Sequence, residues 1–241
     1  AVSPLAEVAY ERPDAACSRL YASYAKTTQV PTYTALNSSA TAGLFRGNPD
    51  LGRSASHNLE LGARGTWLGW EHEAAVFFRR DDRLVDWTFR RGVTARTANA
   101  VDIDSTGVEF FARRTFGRVD LIFGYAWLHK DADYGAAMID ASFYALNFPK
   151  HRLTAATVVR LGRGFELRMD NEARLQEDNL LRTTGGDETV ISSAGLYWRV
   201  PSVRGLQLSL QVDNLWNSNF QEVPAVPAGN RLTTAGVAYA W

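Results

Sequence analysis

The residues best able to do chemistry here are four histidines, two serines beside one of them, loop carboxylates, and aromatics in polar stretches. His57, His72, His129 and His151 lack the His-x-x-x-His type of spacing that sets two imidazoles on one metal. Ser54 and Ser56 lie near His57, but a nucleophile needs its base within hydrogen-bond reach in space, which adjacency along the chain does not supply. There is no Gly-x-Ser-x-Gly elbow. Gly162-Arg163-Gly164 reads as a tight turn, because no helix follows whose amides would complete a phosphate cradle. Asp81, Asp82, Asp131, Asp133, Asp178, Asp187 and Glu188 lack the spacing of an EF-hand loop and read as solvated charge. The lone Cys17 cannot build a disulfide framework. No catalytic residue, metal or cofactor is expected.

The aromatics suggest binding instead. Tyr33, Phe45, Trp87, Tyr134, Tyr144, Trp216 and Phe220, with Phe89, Phe143 and Phe148, sit in the long polar connections. There they could stack on a large planar or macrocyclic ligand, although packing of loop against loop is the commoner use of any one of them. Arg90 and Arg91 could meet an anionic chelate or a lipopolysaccharide phosphate, or equally serve only to keep a loop soluble.

Those side chains must be held by something, and the composition narrows what. The 241 residues carry 26 basic and 26 acidic side chains, 46% hydrophobic and 12% aromatic residues. Disorder is excluded by the apolar content, and a nucleic-acid partner is not expected without a basic excess. The longest apolar run, Leu121 to Leu128, falls short of the roughly 18 residues of a membrane helix. A β-barrel, however, crosses a bilayer with average hydropathy and no long apolar run.

Period-2 alternation runs through the chain. In Leu206 to Asp213 every even position is apolar. In Phe165 to Gln176 one face carries Phe165, Leu167, Met169, Ala173 and Leu175, and the other Glu166, Arg168, Asp170, Glu172 and Arg174. Asn171 breaks the apolar face. The charged row is expected to face a wet lumen, because an Arg at the bilayer midplane costs roughly 2–4 kcal/mol. Further strands are expected over Leu5–Glu11, Arg19–Thr27, Asn58–Thr66, Trp70–Arg79, Ala100–Thr115, Val119–His129, Arg152–Leu161, Val190–Val200 and Leu232–Trp241, about eleven in all. Many reach the length that a tilted strand needs to span a bilayer. Short connections (Trp67–Gly69, Phe116–Arg118, Gly162–Gly164, Pro201–Gly205) alternate with long ones (Thr28–His57, Arg80–Asn99, Lys130–His151, Glu177–Thr189, Asn214–Arg231), as in outer-membrane barrels.

Three stretches resemble the C-terminal barrel region of TonB-dependent outer-membrane receptors. They are Arg19-Leu20-Tyr21-Ala22-Ser23-Tyr24 running to Val30-Pro31, then Asn48-Pro49-Asp50-Leu51 followed by Asn58-Leu59-Glu60-Leu61-Gly62, and finally Val212-Asp213-Asn214-Leu215-Trp216-Asn217 with a closing strand ending in Tyr239 and Trp241. The chain departs from the family in having Gly52-Arg53-Ser54 after the second motif and Trp rather than Phe at its end. The resemblance implies an all-β, antiparallel transmembrane barrel of about 22 strands, an even number as in bacterial single-chain barrels. Residues 1–241 would form its C-terminal portion, with the plug domain and TonB box outside the chain. It further implies uptake of a ferric siderophore or cobalamin across the bacterial outer membrane. The partners would be the TonB complex, outer-membrane lipid and lipopolysaccharide, and the barrel assembly machinery, which would read the terminal Tyr239 and Trp241.

Two other readings fit parts of the pattern. A complete small phospholipase-like barrel would need a Ser–His pair on its outer wall, and a soluble carbohydrate-binding sandwich would have shorter strands. Under the barrel register, Leu208→Arg is expected to block membrane assembly while Gln207→Arg is tolerated, because only the first puts charge into lipid. Heat-modifiable gel migration tests this, and equal tolerance of the two would contradict the register.

Overall fold

The computed structural model describes residues 2–13, 15–143, 145–223 and 226–241. These form one sheet of thirteen strands and a short helix. In chain order they are β1 (Leu5–Glu11), β2 (Cys17–Gln29), α1 (Tyr33–Asn37), β3 (Phe45–Arg46), β4 (Ser54–Trp67), β5 (Trp70–Arg90), β6 (Val93–Phe116), β7 (Val119–Asp133), β8 (Ala141–Ser142), β9 (Pro149–Gly162), β10 (Phe165–Gln176), β11 (Glu188–Arg199), β12 (Leu206–Asp213) and β13 (Leu232–Tyr239). Eleven strands pair antiparallel, each with the next along the path, while the two-residue β3 and β8 attach to β6 and β5. The sheet is not closed: β1 and β13 are its two edges.

The expected alternation becomes two chemically distinct faces. Phe165, Leu167 and Met169 of β10 pair with Trp198, Leu196 and Ala194 of β11. These in turn face Leu208, Leu210 and Val212 of β12. The opposite face carries ion pairs that close within it. Arg168 meets Glu166 at 2.7 Å, Arg152 and Arg174 both reach Glu172, and Arg113 meets Glu71 at 2.8 Å. Asn171, on the apolar face, is satisfied rather than exposed. Its amide donates to the Ala155 carbonyl at 3.3 Å, and its oxygen accepts from Ser192 at 2.7 Å.

One rim is made of tight turns. Leu68-Gly69 and Arg163-Gly164 have positive φ at both residues, the type I′ pattern whose twist matches the flanking strands. The other rim differs from expectation. Arg80–Asn99, expected as a loop, is the paired continuation of β5 and β6, whose connection is only Arg91-Gly92. The charged run Arg79-Arg80-Asp81-Asp82 masks the continuation. A register shift lies there, with Arg83 at φ 53° and its N–H bonded to the Asp102 carboxylate at 2.7 Å. The ends of Thr28–His57 and Lys130–His151 are likewise strand: β2 runs to Gln29 and β4 begins at Ser54, and β7 runs to Asp133 and β9 begins at Pro149. The final strand stops at Tyr239, two residues before Trp241.

On the polar face, glycines make room for rings. A Cβ at Gly62 would overlap the Tyr21 ring, whose hydroxyl donates to Glu60 at 2.8 Å. Gly62→Val is therefore expected to destabilise the protein by about 1–3 kcal/mol through overpacking. Adding Tyr21→Ala should recover most of that loss in urea-unfolding measurements, and an additive double variant would refute the clash.

Candidate functional site

Nearly all the buried apolar residues lie at the rim of long connections, where β5 and β6 project beyond their neighbours. One face of this projecting hairpin, with Ala98, Val85, Trp87 and Ala100, is covered by Ala35, Leu36 and Leu51 from the β2–β4 connection. Its other face, with Val101, Ile103 and Leu84, is covered by Ala145 and Tyr134. The hairpin is thus a post packed on both sides, and β3 and β8 extend it laterally through backbone pairing.

Polar residues lock these covers in place. Asp86 is 0% exposed and accepts the Tyr134 hydroxyl at 2.7 Å and the Ala145 N–H at 3.2 Å. Burial, reinforced by this carboxylate, pushes the Tyr134 phenol well above its ordinary value, so it stays protonated and donating. Arg182 ties three connections together, with its side chain 1% exposed. It donates to the Gln221 carbonyl at 3.2 Å, the Glu177 carbonyl at 3.0 Å and Asn147 Oδ1 at 3.0 Å. It also pairs with Asp187 and lies 5.2 Å over the Phe220 ring. Asn179 adds bonds to the Ser142 and Leu146 carbonyls.

The family-motif residues act in turns. Asn48 Oδ1 accepts the Asp50 N–H at 3.0 Å, an Asx turn that includes Pro49 and sets Leu51 into the apolar cover. Asn214, at φ 50°, donates to the Ser218 and Gly229 carbonyls, each at 2.8 Å, and the Leu215 N–H bonds the Ser192 carbonyl at 2.7 Å.

The binding candidates separate by placement. Tyr33 on α1 is 82% exposed and Phe45 49%. Trp87 is edge-on to Phe45 at 5.3 Å and lies on β5 rather than on a loop. Tyr134 is held by Asp86. Phe220 is 5% exposed, enclosed by Arg174 and Arg182, so it packs loop against loop. Trp216 is 63% exposed, and its indole N–H donates to Ser192 at 2.7 Å, on the apolar face. Tyr144 lies outside the described residues. Glu166, Arg168, Asp170, Glu172 and Arg174 share the polar face of β10. Tyr239 ends β13, and Trp241 is fully exposed beyond it. Ser54 and Ser56 do not meet His57: alternation turns them to the opposite face, where Ser56 bonds Asp81 and Ser54 the Gln29 carbonyl. Arg182, Asp86 and Asn179 carry no local sequence signal, since most of their partners lie more than 30 residues away.

A family described as TonB dependent receptor-like, β-barrel matches residues 1–215. Comparison with curated proteins gives no match. Among solved structures, the chain is similar to the copper transporter OprC (TM-score 0.75, 15% identity, 98% of this chain and 39% of that one). It is also similar to the FrpB iron transporter from Neisseria meningitidis, F5-1 variant (0.73, 16%, 98% and 39%), and to the siderophore receptor PirA from Pseudomonas aeruginosa (0.67, 13%, 98% and 39%). At these identities the likeness is one of fold. The chain spans about two fifths of the length of these structures.

Replacing Arg182 by Met removes one side of a buried polar cluster, at a cost of about 3 kcal/mol. The loss is expected to fall on the loop layer. Limited proteolysis should cut within residues 177–187 and 214–231 while heat-modifiable migration of the strands is unchanged; unaltered proteolysis would refute the clamp.

Proposed function

Since the chain belongs to the TonB-dependent receptor β-barrel family of the outer membrane, we propose that it forms the C-terminal part of a receptor for energy-coupled uptake of a bulky metal chelate. In this reading the apolar face meets lipid and the charged face lines the lumen. The plug domain and TonB box belong to the remainder of the receptor, through which the TonB complex acts. The C-terminal segment, β13 with Tyr239 and then Trp241 beyond it, is the part read by the assembly machinery.

The observation that carries the reading is the layer of connections clamped at one rim, with Tyr33 and Phe45 left exposed on it. A binding surface gains affinity when its residues are ordered before the ligand arrives, and these loops are ordered by their own core. A ferric siderophore is favoured over cobalamin, because the similar solved structures are named for iron, siderophore and copper uptake. Aromatic side chains suit the flat rings of a catecholate shell.

In the full-length receptor, Tyr33→Ala with Phe45→Ala is expected to weaken ferric-siderophore binding about tenfold, the scale of losing one aromatic anchor. Loss of TonB should abolish uptake and leave binding intact. Uptake that persists without TonB would overturn the reading.

A further inference from the structure

The rim of tight turns carries a surplus of arginine, and the surplus is sorted by face. Carboxylates at this rim lie on the charged face, where Glu71 pairs with Arg113 at 2.8 Å, Asp120 with Arg160, and Glu166 with Arg168 at 2.7 Å. From β6 to β12, no carboxylate among the described residues faces the apolar side at this rim. Arg114, which is partly buried, and Arg118 and Arg163, which are exposed, make no ion pair among the described residues. At the rim of long connections the same apolar side carries both signs, and Arg80 pairs there with Asp82 at 3.0 Å and Asp104 at 3.3 Å.

The unpaired arginines stand among rings and turn backbone. The Arg114 guanidinium lies 4.2 Å over the Phe116 ring, whose edge meets Trp70 at 5.9 Å. Arg118, in the β6–β7 turn, reaches across β7 to the β9–β10 turn. Its Nη1 stands 3.2 Å from the Cβ position of Gly162, the register partner of Phe165. The β9–β10 turn itself holds Arg163, whose carbonyl accepts the Trp198 indole N–H at 3.3 Å. Phe165 stacks on Trp198 with ring centroids 5.2 Å apart. Two arginines therefore share one turn edged by stacked rings, the amphipathic border that aromatic residues form at a membrane interface. Toward the middle of the wall the apolar face continues with Val159, Leu167 and Leu196, side by side in register.

We propose that the β9–β10 turn binds one phosphatidylglycerol molecule, its phosphate between Arg118 and Arg163 and an acyl chain along Val159, Leu167 and Leu196. Guanidinium groups take phosphate oxygens in pairs, and clustered arginines beside a membrane surface select anionic headgroups. The choice of headgroup follows from the sorting of charge. The ammonium of phosphatidylethanolamine finds no carboxylate on this side of the rim, whereas a net anionic headgroup meets cations alone. Tight turns mark the periplasmic end of outer-membrane barrels, where the leaflet is phospholipid. The inference rests on the apolar face meeting lipid. It is separate from the uptake reading, since lipid retention is measured without ligand or TonB.

The test is native mass spectrometry of the full-length receptor titrated with palmitoyl-oleoyl-phosphatidylglycerol or palmitoyl-oleoyl-phosphatidylethanolamine. The wild type should retain the first in preference to the second. Arg118→Gln and Arg163→Gln should each weaken retention of phosphatidylglycerol about fivefold, the scale of one basic residue at an anionic surface. Retention of phosphatidylethanolamine and heat-modifiable migration should not change. Arg64→Gln removes an arginine from the charged face of the same rim and should alter neither lipid. Equal retention of the two lipids by the wild type would overturn the headgroup. Wild-type retention of phosphatidylglycerol by the Arg118→Gln, Arg163→Gln double variant, or an equal loss in Arg64→Gln, would overturn the site.

Discussion

A strand that crosses hydrocarbon must leave no backbone N–H or C=O without a partner and no bare charge against lipid. Every feature of this sheet follows from that condition. The continuous antiparallel ladder from β1 to β13 satisfies the backbone, and period-2 alternation sends Glu166, Arg168, Glu172 and Arg174 to one side and Leu167, Met169 and Leu175 to the other. Even the exception obeys it. Asn171 sits on the apolar face only because Ser192 and the Ala155 carbonyl occupy its amide. The same condition singles out β1 and β13, the two edges of the sheet, as the strands whose outer backbone groups lack a partner within it.

A wall one strand thick cannot bury a core of its own. Its apolar residues are spent on one exposed face and its charges pair along the other. The burial that folding requires moves to the rim, where β5 and β6 outrun their neighbours and are covered on both sides. Two kinds of stability therefore coexist in one chain. Hydrogen-bonded pairing and face chemistry hold the wall, while packed side chains around Asp86 and Arg182 hold the loops.

The wall was legible in the sequence because its rule is local. Alternation and two-residue turns mark each strand within a window of ten residues, and the face assignment of Phe165 to Gln176 needs nothing beyond it. The rim was less legible because its rules are long-range. Arg79-Arg80-Asp81-Asp82 looks like the start of a loop until Asp102 is brought across to take the Arg83 N–H. Arg182 looks like one more loop cation until Asn147, Asp187, Phe220 and Gln221 converge on it. Phe220 and Tyr33 are equally aromatic in equally polar stretches, and only packing tells the buried one from the exposed one.

The buried clamp at Arg182 also bears on how such a surface can change over generations. Because that clamp and the Ala35, Leu36 and Leu51 cover set loop position from beneath, the outermost side chains carry little of the packing. Exposed residues such as Tyr33 and Leu44 are free to drift in type, so the outer surface of the layer can diversify while the scaffold stays the same.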